Sequence, residues 1–223
     1  MKRICVFDVN ETLLDLSGLD PLFTAAFGDA AARREWFAQV LQTALVTTLL
    51  AEYADFTAIG AAALAITAAK RGVEVVPEER QRILGGMRQL QPHADVRDGL
   101  NRLRGAGLRL AALTNSTHRV AEAQLTHAGI RDAFEAVLSA DEVRRLKPAP
   151  EPYRMAAQRL GVGIGDIRLI ACHAWDVAGA LKAGCAAVYV ARPGMPFDPL
   201  MPRPDIEAAD VRDAAEQIIR AEV

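Results

Sequence analysis

The stretch Ile4-Cys5-Val6-Phe7-Asp8 decides the fold, because a short apolar run ends there in a carboxylate and a polar turn. An apolar run that follows the charged pair Lys2-Arg3 is typical of a buried strand in a parallel sheet. Sheets of this kind present reactive groups at the carboxyl ends of their strands. The sequence therefore predicts Asp8 as a nucleophile at the sheet edge; the alternative is an N-cap aspartate that opens the next segment.

Three further segments follow in order along the chain. Leu110 to Ser116 is an apolar run that ends in hydroxyl residues, Lys147-Pro148-Ala149-Pro150 comes shortly before Tyr153, and Leu169 to Asp176 is a second apolar run that ends in an acidic residue. Together with the first segment they resemble the four motifs of the haloacid dehalogenase superfamily. Each motif is weak alone, but the four in order cover almost the whole chain.

This resemblance implies an α/β fold, a doubly wound parallel sheet of Rossmann-like type with an inserted helical cap. Alternating strand-like and helical patterns in the second half of the chain favour the same class. Strands are expected near residues 3–8, 108–114, 136–139, 167–172 and 186–191. The segment 15–92 shows only helical periodicity, so we expect a cap at 15–92 and a catalytic core at 1–14 and 93–223. The proline-rich run 193–204 predicts a loop, followed by a final helix near 208–220.

Two departures from the superfamily pattern concern the metal. Phosphatases of the superfamily carry a second aspartate two residues after the nucleophile, where this chain has Asn10, which cannot act as a general acid. They carry a metal-binding aspartate where this chain has Cys172. Magnesium prefers oxygen ligands, so magnesium-dependent phosphoryl transfer is disfavoured, and no metal or other cofactor is expected.

Attack on an alkyl carbon needs neither a proton nor a metal, because halide leaves as an anion. The resemblance to the L-2-haloacid dehalogenase branch implies that Asp8 displaces halide from a short 2-halo carboxylic acid and forms an ester, which water then hydrolyses. In this branch Thr12 would orient Asp8. Lys147 would keep Asp8 ionised, since a cation within about 4–6 Å lowers a carboxyl pKa. His173 and Asp176 are the candidates for activating the water.

Substrate contacts are expected from a second group of residues. Thr114 and Asn115, near a helix start, would receive the substrate carboxylate. Trp175 is predicted to cover the site, mainly as a packing residue, with a contact to substrate as the alternative. The complete set of predicted substrate-binding residues is Asn10, Phe37, Thr114, Asn115, Tyr153 and Trp175.

One departure weighs against a dehalogenase. The branch carries an arginine just after a tryptophan in the first cap helix, and the matching pair here is Trp36-Phe37. Phe37 would give an apolar pocket in place of a halide-binding cation. Arg33 lies one helical turn before Phe37 and is a candidate substitute.

Composition narrows the function further. The net charge is -2 and no basic run exceeds two residues, so no nucleic-acid or membrane partner is expected. The three cysteines lack CxxC spacing and are predicted to be reduced thiols of a cytoplasmic protein. The expected partner is a small-molecule substrate, with a homodimer as a further possibility.

The alternatives to a dehalogenase are of two kinds. The first is a phosphatase or phosphonate hydrolase of the same superfamily. The second is a non-catalytic binding protein on this fold, which the missing arginine allows.

Overall fold

A computed structural model describes residues 2–223 and contains a six-stranded, wholly parallel sheet. The strands lie in the order β3-β2-β1-β4-β5-β6. They are β1 (Ile4–Phe7), β2 (Leu110–Thr114), β3 (Ala136–Ser139), β4 (Ile167–Ala171), β5 (Ala186–Val190) and β6 (Ile206–Ala208). The first five confirm the strands expected from the apolar runs, and the architecture confirms the doubly wound α/β class.

Helices connect the strands and cover both faces of the sheet. They are α1 (Asp20–Phe27), α2 (Ala32–Leu49), α3 (Phe56–Arg71), α4 (Pro77–Gly86), α5 (Val96–Gly105), α6 (His118–His127), α7 (Pro150–Leu160), α8 (Ala174–Ala183) and α9 (Val211–Glu222). The first four lie between β1 and β2, and the segment 15–92 contains no strand, as its helical periodicity predicts. Along residues 2–223, no helix combines the length and the hydropathy needed to cross a membrane.

Side chains of the central strand alternate between two apolar cores. Cys5 and Phe7 belong to a core that extends into the helices between β1 and β2, whereas Ile4 and Val6 belong to a core under α7 and α8. This alternation follows from the two-residue period of a strand. All four side chains are at most 2% exposed, which explains why the run is apolar on both faces.

The position of β1 places Asp8 where parallel sheets bind ligands. β1 lies between β2 and β4, so the strand order reverses beside it. A crevice forms at such a switch point, outside the carboxyl ends of the strands. The backbone N–H of Asp8 donates to the carbonyl of Ile170 at 3.0 Å, which fixes the start of the turn to β4.

The two chain segments that bound the helical segment 15–92 are hydrogen-bonded to each other. Leu14 and Pro92 form an antiparallel bridge. On either side of it, Asp15 N donates to Gln91 O and His93 N donates to Leu13 O, both at 2.9 Å. The chain therefore leaves and re-enters the sheet region at one place, close to the nucleophile turn.

The C-terminal region contains the predicted loop and final helix but differs from the expectation in two details. The chain forms a sixth strand after the proline-rich loop, where Val188 pairs with Ile206, and the last helix begins at Val211 rather than near residue 208. Only three residues pair at this sheet edge, too few for a period-two pattern to appear in the sequence. The helix start is fixed by Asp210, whose side chain accepts from Asp213 N at 2.8 Å.

Candidate active site

The turn after β1 positions the carboxylate of Asp8 through Thr12. Thr12 Oγ1 donates to Asp8 Oδ2 at 2.7 Å, and Thr12 Oγ1 itself accepts from Cys172 N at 3.0 Å. Asp8 is 5% exposed and Thr12 is fully buried. The chain that follows β4 thus holds the threonine, and the threonine orients the carboxylate.

The ammonium group of Lys147 lies between two carboxylates. Its Nζ is 2.9 Å from Asp8 Oδ1 and 2.5 Å from Asp176 Oδ2, and it also donates to the carbonyl of Leu113 at 3.0 Å. All three side chains are almost fully buried. Three residues from separate parts of the sequence therefore form one buried charged cluster, as the four-motif pattern predicts.

The pKa values of this cluster follow from burial and from mutual charge. Burial raises the pKa of Asp8, but Lys147, His173 and Thr12 together hold it well below its usual range. Burial lowers the pKa of Lys147, but Asp176 and Asp8 raise it above its usual value. Burial and the neighbouring Asp8 raise the pKa of Asp176, and Lys147 opposes the shift. Asp8 is therefore an ionised carboxylate beside a fixed cation, the state that a nucleophile requires.

Tyr153 and Asn115 support this cluster rather than lie open to a substrate. The Tyr153 hydroxyl donates to Asp176 Oδ1 at 2.6 Å, and burial together with Asp176 raises the pKa of Tyr153 well above 10.0. Asn115 Oδ1 accepts from Lys147 N at 2.8 Å, while its Nδ2 donates to Lys147 O at 3.3 Å. The polar atoms of both side chains are thus hydrogen-bonded within the cluster itself.

A close approach of α8 to the loop of Lys147 depends on Gly179. A Cβ atom added there would lie 2.6 Å from Pro148 Cβ and 2.6 Å from the Tyr153 hydroxyl, distances that real Cβ contacts essentially never show. Glycine therefore lets the helix that carries Asp176 lie against Pro148, which directly follows Lys147 in the chain.

Asn10 and Thr114 are also engaged by neighbouring groups. Asn10 Nδ2 donates to Ser116 Oγ at 3.2 Å, and Asn10 Oδ1 accepts from Gln124 Nε2 at 3.0 Å. Thr114 Oγ1 accepts from Ser116 N at 3.1 Å. Ser116 ends the second motif, but nothing in its local pattern or in that of Gln124 shows that both meet a residue more than a hundred positions earlier.

His173 lies beside the nucleophile and is held by Glu11, a residue that no motif of the sequence marks as functional. His173 Nδ1 is 3.5 Å from Asp8 Oδ2, and His173 Nε2 is 2.8 Å from Glu11 Oε2. A carboxylate can only accept, so the ring donates to Glu11. Burial lowers the pKa of His173, but Cys172, Asp8 and Glu11 raise it well above 6.5. These neighbours favour the protonated ring of His173 while Asp8 is ionised.

The raised pKa of His173 makes the free energy of unfolding depend on pH in a defined direction. A group whose pKa is raised by folding contributes stability that is fully present below its unfolded pKa, about 6.5 for histidine, and lost as the pH rises through the folded value. We expect His173→Asn to lower the free energy of unfolding most below about pH 6 and progressively less above it. Urea unfolding across this pH range measures the difference, with the exposed His118→Asn as control. A difference that stays constant with pH would contradict the shift.

Trp175 is partly buried and its ring lies 5.1 Å from that of His173. Its indole Nε1 is shielded from solvent and has no hydrogen-bond partner among the described residues. The packing role expected from the sequence is compatible with this position.

Phe37 lines a cavity of about 800 Å³ that is walled mainly by apolar side chains and that we call the apolar cavity. Trp36, Val40 and Phe56 share its lining, and Ser116, the partner of Asn10, lies at its core side. Arg33 does not replace the expected arginine there. It is buried, pairs with Asp20 and lines a separate cavity.

The cluster does not fit a magnesium ion. The carboxylates of Asp8 and Asp176 already share the ammonium group of Lys147, and Thr12 donates to the second oxygen of Asp8. Cys172 places its Sγ 3.7 Å from His173 Nδ1, a thiol where the phosphatase pattern has a carboxylate. Magnesium binds oxygen ligands and retains water, and this donor set offers it little.

Comparisons with known proteins relate this chain to one family of hydrolases. The model of the haloacid dehalogenase-like hydrolase family matches residues 2–184. An (S)-2-haloacid dehalogenase of Burkholderia cepacia is 30% identical over 87% of this chain and 85% of its own length. One from Pseudomonas sp. (strain YL) is 29% identical over 94% and 91%. The structure of an L-2-haloacid dehalogenase from Xanthobacter autotrophicus with chloropropionic acid covalently bound has a TM-score of 0.93 over both whole chains; at 24% identity this likeness concerns the fold.

Proposed function

Because this chain belongs to the haloacid dehalogenase-like hydrolase family, we propose that it is a hydrolytic dehalogenase that cleaves the carbon-halogen bond of a short 2-haloalkanoic acid through an ester on Asp8. The names of its relatives support the substrate class. The observation that carries the proposal is the buried ammonium of Lys147 at 2.9 Å from Asp8, which keeps this carboxylate ionised without a metal.

In the first step, an Asp8 oxygen attacks the carbon that bears the halogen. The new C–O bond forms as the C–X bond breaks, and the halide leaves with the electron pair. Lys147 and Thr12 hold the carboxylate in place, so that part of the entropic cost of the attack is met before substrate binds. The apolar walls around Phe37 suit an alkyl group, and Ser116 in the same lining bonds to Asn10, two residues after the nucleophile.

In the second step, water attacks the ester carbonyl of Asp8 and restores the carboxylate. The ammonium of Lys147 lies where negative charge develops on the ester carbonyl oxygen. Asp176 and His173 are the candidates for receiving the water proton. Asp176 is fully buried and bound by both Lys147 and Tyr153, whereas His173 turns Nδ1 toward Asp8, so the geometry favours His173.

The proposal predicts halide release that does not depend on added metal. We expect release from chloro- or bromoacetate, or from one enantiomer of 2-chloropropionate, at the same rate with and without a chelator, because a halide leaves as an anion and the donor set does not suit magnesium. Halide release measured in both conditions tests this. A rate that collapses in chelator and returns with magnesium would contradict it.

The two alternatives predict different results in the same assay. A phosphatase would hydrolyse a general phosphate ester with magnesium and release no halide. A non-catalytic binding protein would turn over neither substrate, and Asp8→Asn would leave its ligand affinity unchanged. Halide release by the unmodified protein contradicts both.

The proposal also covers domain organisation and location. We divide the chain into a catalytic core at 1–14 and 93–223 and a helical cap at 15–92, a division supported by the bridge between Leu14 and Pro92. A cytoplasmic location is supported by three free, buried cysteines, as expected in a reducing compartment. A homodimer remains a prediction.

A further inference from the structure

The turn that follows Asp8, at residues 9–14, has three successive carbonyl groups held by two residues from outside it. His93 Nε2 lies 3.0 Å from the carbonyl oxygen of Glu11, and His93 N donates to the carbonyl of Leu13 at 2.9 Å. Between them, the carbonyl of Thr12 accepts from Arg192 Nη2 at 2.8 Å and from Arg192 Nε at 3.2 Å. Two residues far away in sequence therefore fix the backbone of this turn.

Arg192 is the sole donor to the Thr12 carbonyl within the part of the chain that the structure describes. Thr12 is fully buried, and a buried carbonyl that loses its donor is unfavourable. The carbonyls on either side, those of Glu11 and Leu13, have His93 as their donor. Loss of Arg192 would therefore release the Thr12 backbone between two neighbours that stay held.

Asp95 fixes the orientation of the Arg192 guanidinium. Arg192 Nη1 lies 2.7 Å from Asp95 Oδ1, and Asp95 Oδ2 accepts from Val211 N, at the start of α9, at 2.7 Å. Burial raises the pKa of Asp95, but Arg192 and the backbone N–H of Val211 hold it below its usual value. Because the donors of a guanidinium form a rigid planar fork, an ionised Asp95 that binds Nη1 also sets the direction of Nε and Nη2.

The contact between Arg192 and Thr12 reaches the nucleophile through this one threonine. Thr12 Oγ1 donates to Asp8 Oδ2 at 2.7 Å and accepts from Cys172 N at 3.0 Å. Thr12 is thus held at its carbonyl by Arg192 and at its hydroxyl by Cys172 and Asp8. A shift of the Thr12 backbone would change the direction from which its hydroxyl holds the carboxylate.

We propose that Arg192, oriented by Asp95, is a positioning residue that acts through Thr12 to keep the Asp8 carboxylate in its attacking orientation. Attack on carbon requires aligned reacting atoms about 3–3.5 Å apart, and a displacement of about 1 Å can cost about 10²-fold in rate. Arg192 contributes to ester formation by this route and not by a contact with the haloacid. The inference deepens the proposed dehalogenation and rests on it.

A double variant removes the contact without leaving a buried charge unpaired. We expect Arg192→Met with Asp95→Asn to slow halide release from 2-chloropropionate, in a single turnover at saturating protein, by about 10²-fold. Arg192→Lys keeps a cation beside Asp95 but has no fork of donors for Thr12, so its rate should lie between those of the double variant and the unmodified protein. Arg34→Met changes an exposed arginine that lines the same cavity as Arg192 and should leave the rate unchanged.

The dependence of the single-turnover rate on protein concentration separates positioning from a merely structural role. Positioning predicts a lower saturating rate constant, with the half-saturating protein concentration within about threefold of the unmodified value, because Arg192 acts on the nucleophile and not on substrate binding. A structural role predicts fewer folded molecules, hence an unchanged saturating rate constant that is reached at higher protein concentration. That result, or a curve identical to that of the unmodified protein, would overturn the proposal.

A second measurement requires no turnover. Within the turn, Glu11 N donates to Leu14 O and Leu14 N donates to Val9 O, both at 3.0 Å. We expect the double variant to speed hydrogen exchange at these two amides by at least about tenfold more than in β3, because only the turn loses a contact. Equal acceleration in the turn and in β3 would overturn the proposal. If the unmodified protein releases no halide, the dehalogenase proposal fails, and the exchange rates still decide whether Arg192 holds the turn.

Discussion

Asp8→Asn is expected to lower halide release by at least about 10⁴-fold, because an amide cannot replace the carboxylate as a nucleophile and loss of a covalent nucleophile has effects of this size. The change removes no heavy atom position and keeps an oxygen that can accept from Thr12. The variant should therefore fold, with an unchanged far-UV circular dichroism spectrum.

Two controls make the Asp8 result specific. Asp132→Asn alters an exposed aspartate and should leave halide release unchanged. Intact-protein mass spectrometry should show no ester on Asp8→Asn after incubation with the haloacid. Residual release within tenfold of the unmodified rate would contradict the role of Asp8 as nucleophile.

Lys147→Met is expected to have the largest effect on stability. The substitution leaves Asp8 and Asp176 facing each other in a buried site without the cation that lies 2.9 Å and 2.5 Å from them. Breaking a buried ion pair from one side typically costs about 3–5 kcal/mol of unfolding free energy. The two carboxylates would then share a proton, which raises the pKa of the pair and leaves Asp8 partly protonated. We expect the first step to slow by about 10²-fold or more.

A double variant separates the uncompensated charge from the loss of packing. Lys147→Met with Asp176→Asn removes one of the two opposed carboxylates and should recover a large part of the unfolding free energy, though not the rate. Lys182→Met, at an exposed position, serves as the matched control. Urea unfolding gives the stabilities. A loss below about 1 kcal/mol for Lys147→Met would contradict a charged lysine between two ionised groups.

The sequence predicts the sheet well where strands are buried on both faces. The runs at Ile4 to Phe7 and Leu169 to Ala171 are apolar throughout because helices cover both sides of them, and that pattern is visible locally. The edge strand Ile206–Ala208 has an exposed residue in its centre and only three members, so no pattern marks it. The periodicity of 15–92 indicates helices, but it does not show how they surround the apolar cavity.

The sequence predicts those site residues that belong to a recognisable motif. Asp8, Thr12, Lys147 and Asp176 lie together because each follows a recognisable segment, and the structure brings them within hydrogen-bond distance. Glu11 escaped notice because its partner His173 is 162 positions away and because a glutamate in a turn is ordinarily a solvated residue.

The hydrogen-bond partners of Asn115 and Tyr153 could not be predicted from the sequence for a related reason. Asn115 and Tyr153 are polar residues near a predicted site, which suggests substrate binding. In the folded chain their polar atoms are bonded to Lys147 and Asp176. Polar groups that are buried must find partners, and which partner they find depends on packing that local sequence does not encode.

The most direct test of the central claim is the fate of solvent oxygen in a single turnover, with the protein in excess over the haloacid in water enriched in oxygen-18. If an ester forms on Asp8, the label enters the carboxylate of Asp8, found in its peptide by mass spectrometry, and the hydroxy acid from this first turnover is unlabelled. Label in the hydroxy acid with none in the Asp8 peptide would mean that water attacks the substrate carbon directly, and it would contradict an ester on Asp8.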